Sequence, residues 1–183
     1  MRSLIQSISK REWLLVWLVA FLIIIITAIP YLYGYFTTPA NMVYTGVHHL
    51  TPGDTNVFLS MVEQVKQGDN IFINLYTSES QARLFINPLW LSVGWLGKVF
   101  HSPNLLTFHL ARSVWIIIFV PIIYLFFSYF IKEFKKRKWV LLLILFSSGL
   151  GVFFNPFLFD VNNIYEHPTD IWVSESITFL TLY

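Results

Sequence analysis

Apolar positions in this chain form long unbroken blocks, where a soluble domain would alternate them with polar ones. The first block runs from Trp13 to about Tyr35, follows Lys10-Arg11-Glu12 and contains no charged residue. Such a run crosses roughly 30 Å of hydrocarbon at about 1.5 Å per residue, so we read 13–36 as a transmembrane helix. A cleaved signal peptide also starts basic and turns apolar. Its apolar core spans only about 7–15 residues and ends at a small-residue site, which Ile29-Pro30-Tyr31-Leu32-Tyr33 does not offer. Tyr31, Tyr33, Tyr35 and Phe36 suit an aromatic belt at the far interface.

From 37 to 102 the pattern changes. Val57, Phe58, Met61, Val62 and Val65 fall on one face of a helix, with Gln64, Lys66 and Gln67 elsewhere. Thr51-Pro52-Gly53-Asp54 offers its start and Gly68 its stop. Asn87-Pro88 breaks the helical pattern, and the apolar piece Pro88–Phe100 is too short to span; it predicts an interfacial or re-entrant helix. A second crossing, 103–131, opens on Ser102-Pro103 as cap and first helical position and carries Pro121 as a kink tolerated among neighbouring helices. The basic stretch 132–138 follows. Trp139 then opens a third crossing to about residue 155, in which Ser147 and Gly151 have small-residue spacing. The expected fold is all-α and membrane-integral, with about three transmembrane helices and interfacial helices in one large loop.

Composition supports that class: 56% of residues are hydrophobic and only 12% charged, about half the charged share of a soluble domain. The net charge of +2 gives no reason to expect a nucleic-acid partner, and the absence of cysteine excludes disulfides and thiolate metal sites. Distribution of charge matters more. Of twelve Lys and Arg, three precede the first crossing and five lie in 132–138, while none follows the third crossing. The positive-inside rule therefore places the segments 1–12 and 132–138 in the cytoplasm. The 37–102 loop and the 156–183 segment share the outer face, where their polar residues can form one site.

Asp54 is the first candidate. At the third position of its helix it has capping-box spacing from Thr51 and favours the helix dipole; on the outer face it also suits a general base. His109 and Arg112, three apart, share a helix face near the outer interface. They form either a snorkelling polar pair or an anion site for a lipid phosphate. Asp170 and Glu175, with Glu166 and His167, form a solvated loop, a second carboxylate or a weak divalent-metal set. His48-His49 reads as a polar loop, and 132–138 as an orientation signal with secondary contact to anionic lipid.

The order of parts resembles the amino-terminal portion of the GT-C glycosyltransferases, the polytopic class that includes protein mannosyltransferases and lipid A aminoarabinose transferases. The similarity lies in the stretch from Pro52 to Gly68, in Asn87-Pro88-Leu89-Trp90, in Phe108-His109-Leu110-Ala111-Arg112 and in Pro168-Thr169-Asp170-Ile171-Trp172-Val173-Ser174-Glu175-Ser176. The resemblance implies sugar transfer from a polyprenyl-phosphate donor to an acceptor at the outer face of a bacterial plasma membrane. Asp54 matches the family's first-loop acid, which acts as base or binds an acceptor or divalent metal. The family's acid pair is missing, because Thr55 and Asn56 follow Asp54. His109 and Arg112 would hold the leaving phosphate, and Asp170 and Glu175 would complete the polar site. Family members carry more crossings, so the chain reads as the amino-terminal part of a longer protein. The competing expectation is a non-catalytic membrane protein, a transporter part or assembly subunit, in which Asp54 only caps its helix.

Overall fold

The computed structural model describes residues 8–46 and 52–146, with side chains in the second stretch from Thr55 onward. The described residues are helical apart from connecting loops and one isolated antiparallel bridge between Phe72 and Phe85. Five helices follow in order: α1 (Lys10–Thr37), α2 (Pro52–Gln67), α3 (Pro88–Phe100), α4 (Asn104–Phe130) and α5 (Phe134–Phe146). Two of them are long and apolar enough to cross a membrane, α1 with 28 residues and α4 with 27. Each extends about 40 Å at roughly 1.5 Å per residue, more than the hydrocarbon thickness. Of the third expected crossing only α5 is described. Ser147, Gly151 and everything beyond, including Asp170 and Glu175, lie outside the described residues, as do His48 and His49.

The chain packs as two compact units. One comprises the first part of α1, the second part of α4, and α5. Val16, Val19, Ala20 and Ile23 of α1 are spaced to form one helical face. Ile116, Val120 and Tyr124 of α4 recur every fourth residue, as do Leu141 and Leu145 of α5, and all are buried together. Outside that seam the helices stay uncovered: Leu14 is 60% exposed, Phe21 62% and Ile122 57%.

A buried ionic cluster closes one end of this unit. Ser9 and Glu12 form a reciprocal capping box at the start of α1: the Ser9 backbone N–H donates to Glu12 Oε1 (3.2 Å), and the Glu12 N–H donates to Ser9 Oγ (3.3 Å). The other carboxylate oxygen accepts from the Tyr124 hydroxyl (2.6 Å) and from Arg137 (2.5 Å), whose guanidinium also stands over the Tyr124 ring. Both charged side chains are about 6% exposed. Here the structure departs from the expectation of a loop over 132–138. α5 begins at Phe134 rather than Trp139, and Arg137 faces inward because Glu12 gives its charge a buried partner.

The other unit holds α2, α3 and the first part of α4. Met61, Val62 and Val65 are buried as their spacing predicts. Gly68 ends α2 at φ 110°, its N–H reaching Val65 O (3.0 Å) while the Asp69 N–H reaches Gln64 O (2.9 Å). That is the Schellman arrangement, for which a residue without Cβ is favoured. Gln64, expected on the polar face, is buried. Its amide donates to Ile73 O (3.1 Å) and accepts from Ile73 N (3.0 Å), tying down the loop that follows. Asn87 caps α3, accepting from the Leu89 and Trp90 N–H groups, with Pro88 at the first helical position. Gly94 lets α3 lie close on α2, since a Cβ there would overlap Val65. Phe58, Trp90 and Phe108 then stack in series across α2, α3 and α4, with centroid spacings of 4.6 and 6.2 Å. The expected Ser102 cap falls one residue early: α4 starts at Asn104, Pro103 O accepts from Thr107 N, and the Ser102 hydroxyl is buried against that of Thr107.

The Glu12–Arg137 pair yields a stability prediction. Arg137→Met leaves a buried carboxylate without its cation and lowers thermal stability by about 3–5 kcal/mol, whereas Glu12→Leu combined with Arg137→Met recovers most of the loss. Thermal unfolding of the three detergent-solubilised proteins measures this. An Arg137→Met variant as stable as the parent contradicts it.

Candidate functional site

The sequence places His109 and Arg112 one turn apart on α4, and both line the same cavity, of about 450 Å³. The remaining wall is mostly aromatic and aliphatic: Tyr31 and Tyr35 from α1, Tyr44 from the following loop, and Leu105 from the first turn of α4. Tyr31 and Tyr35 are four residues apart, so both reach this space from one helix face. Gly46 completes the wall in a left-handed conformation (φ 70°), where a Cβ would overlap Leu105. Gly34 is equally constrained, with the Tyr44 ring lying where its Cβ would be.

Three contacts fix the polar groups. The Arg112 guanidinium carbon lies 4.8 Å from the centre of the Tyr31 ring, a cation–π contact in which the residue is only 6% exposed. The same ring meets His109 edge-on at 4.5 Å. His109 Nε2 donates to the Gly46 carbonyl (3.2 Å), which can only accept, so the contact sets the ring's tautomer. Its other nitrogen, Nδ1, is buried without a hydrogen-bond partner among the described residues. In the neutral tautomer set by Gly46, Nδ1 is an acceptor. The charge of the cavity is positive, since Arg112 is its charged side chain and no acid is among the lining residues. Planar paired donors on an aromatic platform suit a carboxylate or phosphate, and the apolar wall suits an aliphatic or ring-shaped appendage.

Asp54 lies in the first turn of α2, as the sequence predicts, since the helix starts at Pro52. Its side chain is outside the described set. Asp170 and Glu175, the other expected carboxylates, fall beyond residue 146. The structure thus brings together His109 and Arg112 of the expected residues and adds Tyr31, Tyr35, Tyr44 and Gly46. Tyr31 and Tyr35 were visible only as members of an aromatic belt. Their spacing of four, matching the phase of the cavity, is the signal that separates them from Tyr33 and Phe36; exposure does not, since Tyr35 on the rim is 70% exposed and Tyr33 69%. Among the described residues no three His, Asp or Glu side chains converge on a metal-sized site.

A second polar cluster braces α2 against the start of α4. Lys66 Nζ donates to Ser102 O (3.1 Å) and Asn104 Oδ1 (2.7 Å), while Asn104 Nδ2 donates to Glu63 Oε2 (2.9 Å). The Asn104 hydrogen bond, then that from Gln67, hold the Glu63 carboxyl below the usual carboxylate range, with Lys66 adding attraction at 3.8 Å. The groups brace one another, each hydrogen-bonded within the cluster. Compared with known proteins, the chain matches no family model, no curated protein and no solved structure.

The depressed Glu63 pKa fixes a sign for the pH response. Its stabilisation is complete above the unfolded value near 4.5 and is lost as the pH falls through the lower folded value. Thermal denaturation between pH 6 and roughly 3 therefore shows a smaller acid-dependent loss for Glu63→Gln than for the parent. Identical profiles contradict the assignment.

Proposed function

We propose that this chain belongs to an integral membrane transferase that moves a sugar from a polyprenyl-phosphate donor to an acceptor hydroxyl at the outer membrane face. The membrane part of the reading draws on the exposed apolar flanks of α1 and α4. A core helix of a soluble protein is mostly buried, yet only 28% and 33% of the spanning windows of these helices are covered. The apolar sequence from Trp139 to about residue 155 is the basis for a third crossing, and α5 covers its described part as far as Phe146. The basic ends at Lys10-Arg11 and 132–138 lie in the cytoplasm, and the α2–α3 segment outside.

The transferase part draws on one observation: a buried arginine and a histidine share a tyrosine-walled cavity with aliphatic sides. A polyprenyl-phosphate sugar presents a phosphate beside a hydrocarbon chain and a ring, and that cavity has surfaces for each. In the reaction Asp54 takes the proton of the acceptor hydroxyl as its oxygen attacks the anomeric carbon. The bond from that carbon to the phosphate oxygen breaks, and Arg112 stabilises the departing phosphate; His109 joins it only when Nδ1 is also protonated, because the neutral ring presents an acceptor there. Asp170 or Glu175 completes the polar surroundings. A divalent metal is a candidate further ligand of these carboxylates. The placement of Asp54 in the first turn of α2 favours a second reading, a non-catalytic membrane subunit in which the carboxylate only serves the helix dipole.

One substitution separates the two. Asp54→Asn in the full-length protein lowers transfer from a radiolabelled polyprenyl-phosphate sugar by about 10²–10⁴-fold with expression and melting temperature unchanged. Retained transfer defeats the base assignment, and loss of stability in place of turnover favours the subunit.

A further inference from the structure

The cations near the α4–α5 turn are unequally used. Arg137 is consumed by Glu12, and Lys136 pairs with Glu133 at 2.7 Å. Lys10, Arg11, Lys132 and Lys135 are exposed and have no carboxylate partner among the described residues, and Lys138 lies over the Trp139 ring. The buried clasp brings the two basic segments together: Arg11 adjoins Glu12 in sequence, Lys135 to Lys138 surround Arg137, and Glu12 and Arg137 are in direct contact. The sequence reading of 132–138 as an orientation signal with secondary contact to anionic lipid concerns that run alone and does not explain why its one buried cation is joined to the basic start of α1.

Large aromatic side chains border the same surface. Trp13 and Trp17 stack at 6.4 Å, Trp17 is 47% exposed, Phe134 41% and Trp139 60%. Exposed tryptophans next to unpaired lysines mark the depth at which lipid headgroups meet hydrocarbon. A soluble polyphosphate would be recognised by the cations alone, with no apolar part for the aromatic border to contact, and a polyanion that can stack on that border is told apart by oligonucleotide binding.

We propose that the Glu12–Arg137 clasp assembles the basic start of α1 and the α4–α5 turn into one binding surface for anionic phospholipid headgroups of the cytoplasmic leaflet. Lys10, Arg11, Lys132, Lys135 and Lys138 supply the charge, and Trp17 and Trp139 seat the surface at headgroup depth. Glu133 opposes binding by occupying Lys136. The inference rests on the membrane part of the functional reading and is independent of the transferase chemistry.

The test places the full chain in nanodiscs containing phosphatidylcholine with about a third phosphatidylglycerol and measures contact with a spin-labelled version of each lipid. Both faces of a disc are accessible, so a change of insertion direction caused by removing lysines does not affect the readout. The parent prefers the labelled phosphatidylglycerol by on the order of five-fold, as expected from about one cation's worth of net surface attraction. Lys10→Gln/Arg11→Gln/Lys132→Gln/Lys135→Gln abolishes the preference, Glu133→Gln raises it, and 0.5 M salt weakens it. Equal contact with the two lipids, or a preference unchanged in the quadruple variant, overturns the proposal while leaving the membrane reading intact. Failure of the parent chain to enter discs overturns both. Tighter binding of the detergent-solubilised chain to a short oligonucleotide, with no lipid preference in discs, reassigns the surface to a soluble polyanion.

Discussion

Helices of this composition have more apolar surface than their neighbours can cover. In the unit built on α1, α4 and α5, one seam is sealed by Val16, Val19, Ile23, Val120 and Leu141, while Leu14, Phe21 and Ile122 point away from it. In water those outward residues would be a large penalty. In lipid they are the favoured solvent contact, and the helix satisfies every backbone group that hydrocarbon cannot. The rest of the molecule follows from that division. Polar groups are confined to helix ends and to places where a partner is supplied from within.

Two such places dominate. At one, Glu12, Tyr124 and Arg137 satisfy one another, with Ser9 capping the helix that carries the acid. A charge so placed is stable only as a pair, which is why the start of α1 and the start of α5 are held together. At the other, Arg112 lies over Tyr31 beside His109 in a cavity with no acid among its lining residues. The first cluster is closed and structural. The second carries a positive charge against an apolar wall, the condition for recognising an anionic ligand with a hydrocarbon part.

Much of the helical layout was legible from residue order. The apolar blocks marked α1 and α4, Asn87-Pro88 marked the start of α3, and Gly68 the end of α2, because each rests on local geometry that the residue itself imposes. The pairing of His109 with Arg112 was also legible, since a spacing of three puts both on one helix face. Three features were not. Arg137 looked like its lysine neighbours until Glu12, over a hundred residues earlier, was seen to meet it. Gln64 looked solvent-facing because its partner, the backbone of Ile73, has no sequence signature. Tyr31 and Tyr35 look like an interfacial belt until the loop bearing Tyr44 and Gly46 is seen to complete a cavity wall with them. In each case the missing information was a contact distant along the chain.

The account depends on α1 and α4 crossing a bilayer with the basic turn inside and the α2–α3 segment outside. The chain has no cysteine, so single cysteines can report this without background. Ser78→Cys, in the exposed loop before α3, and Lys136→Cys, in the basic turn, are both solvent-facing positions. Treatment of intact cells with a membrane-impermeant maleimide labels the cysteine at 78 at once and the one at 136 only after permeabilisation. The reverse pattern, or labelling of both in intact cells, contradicts the account.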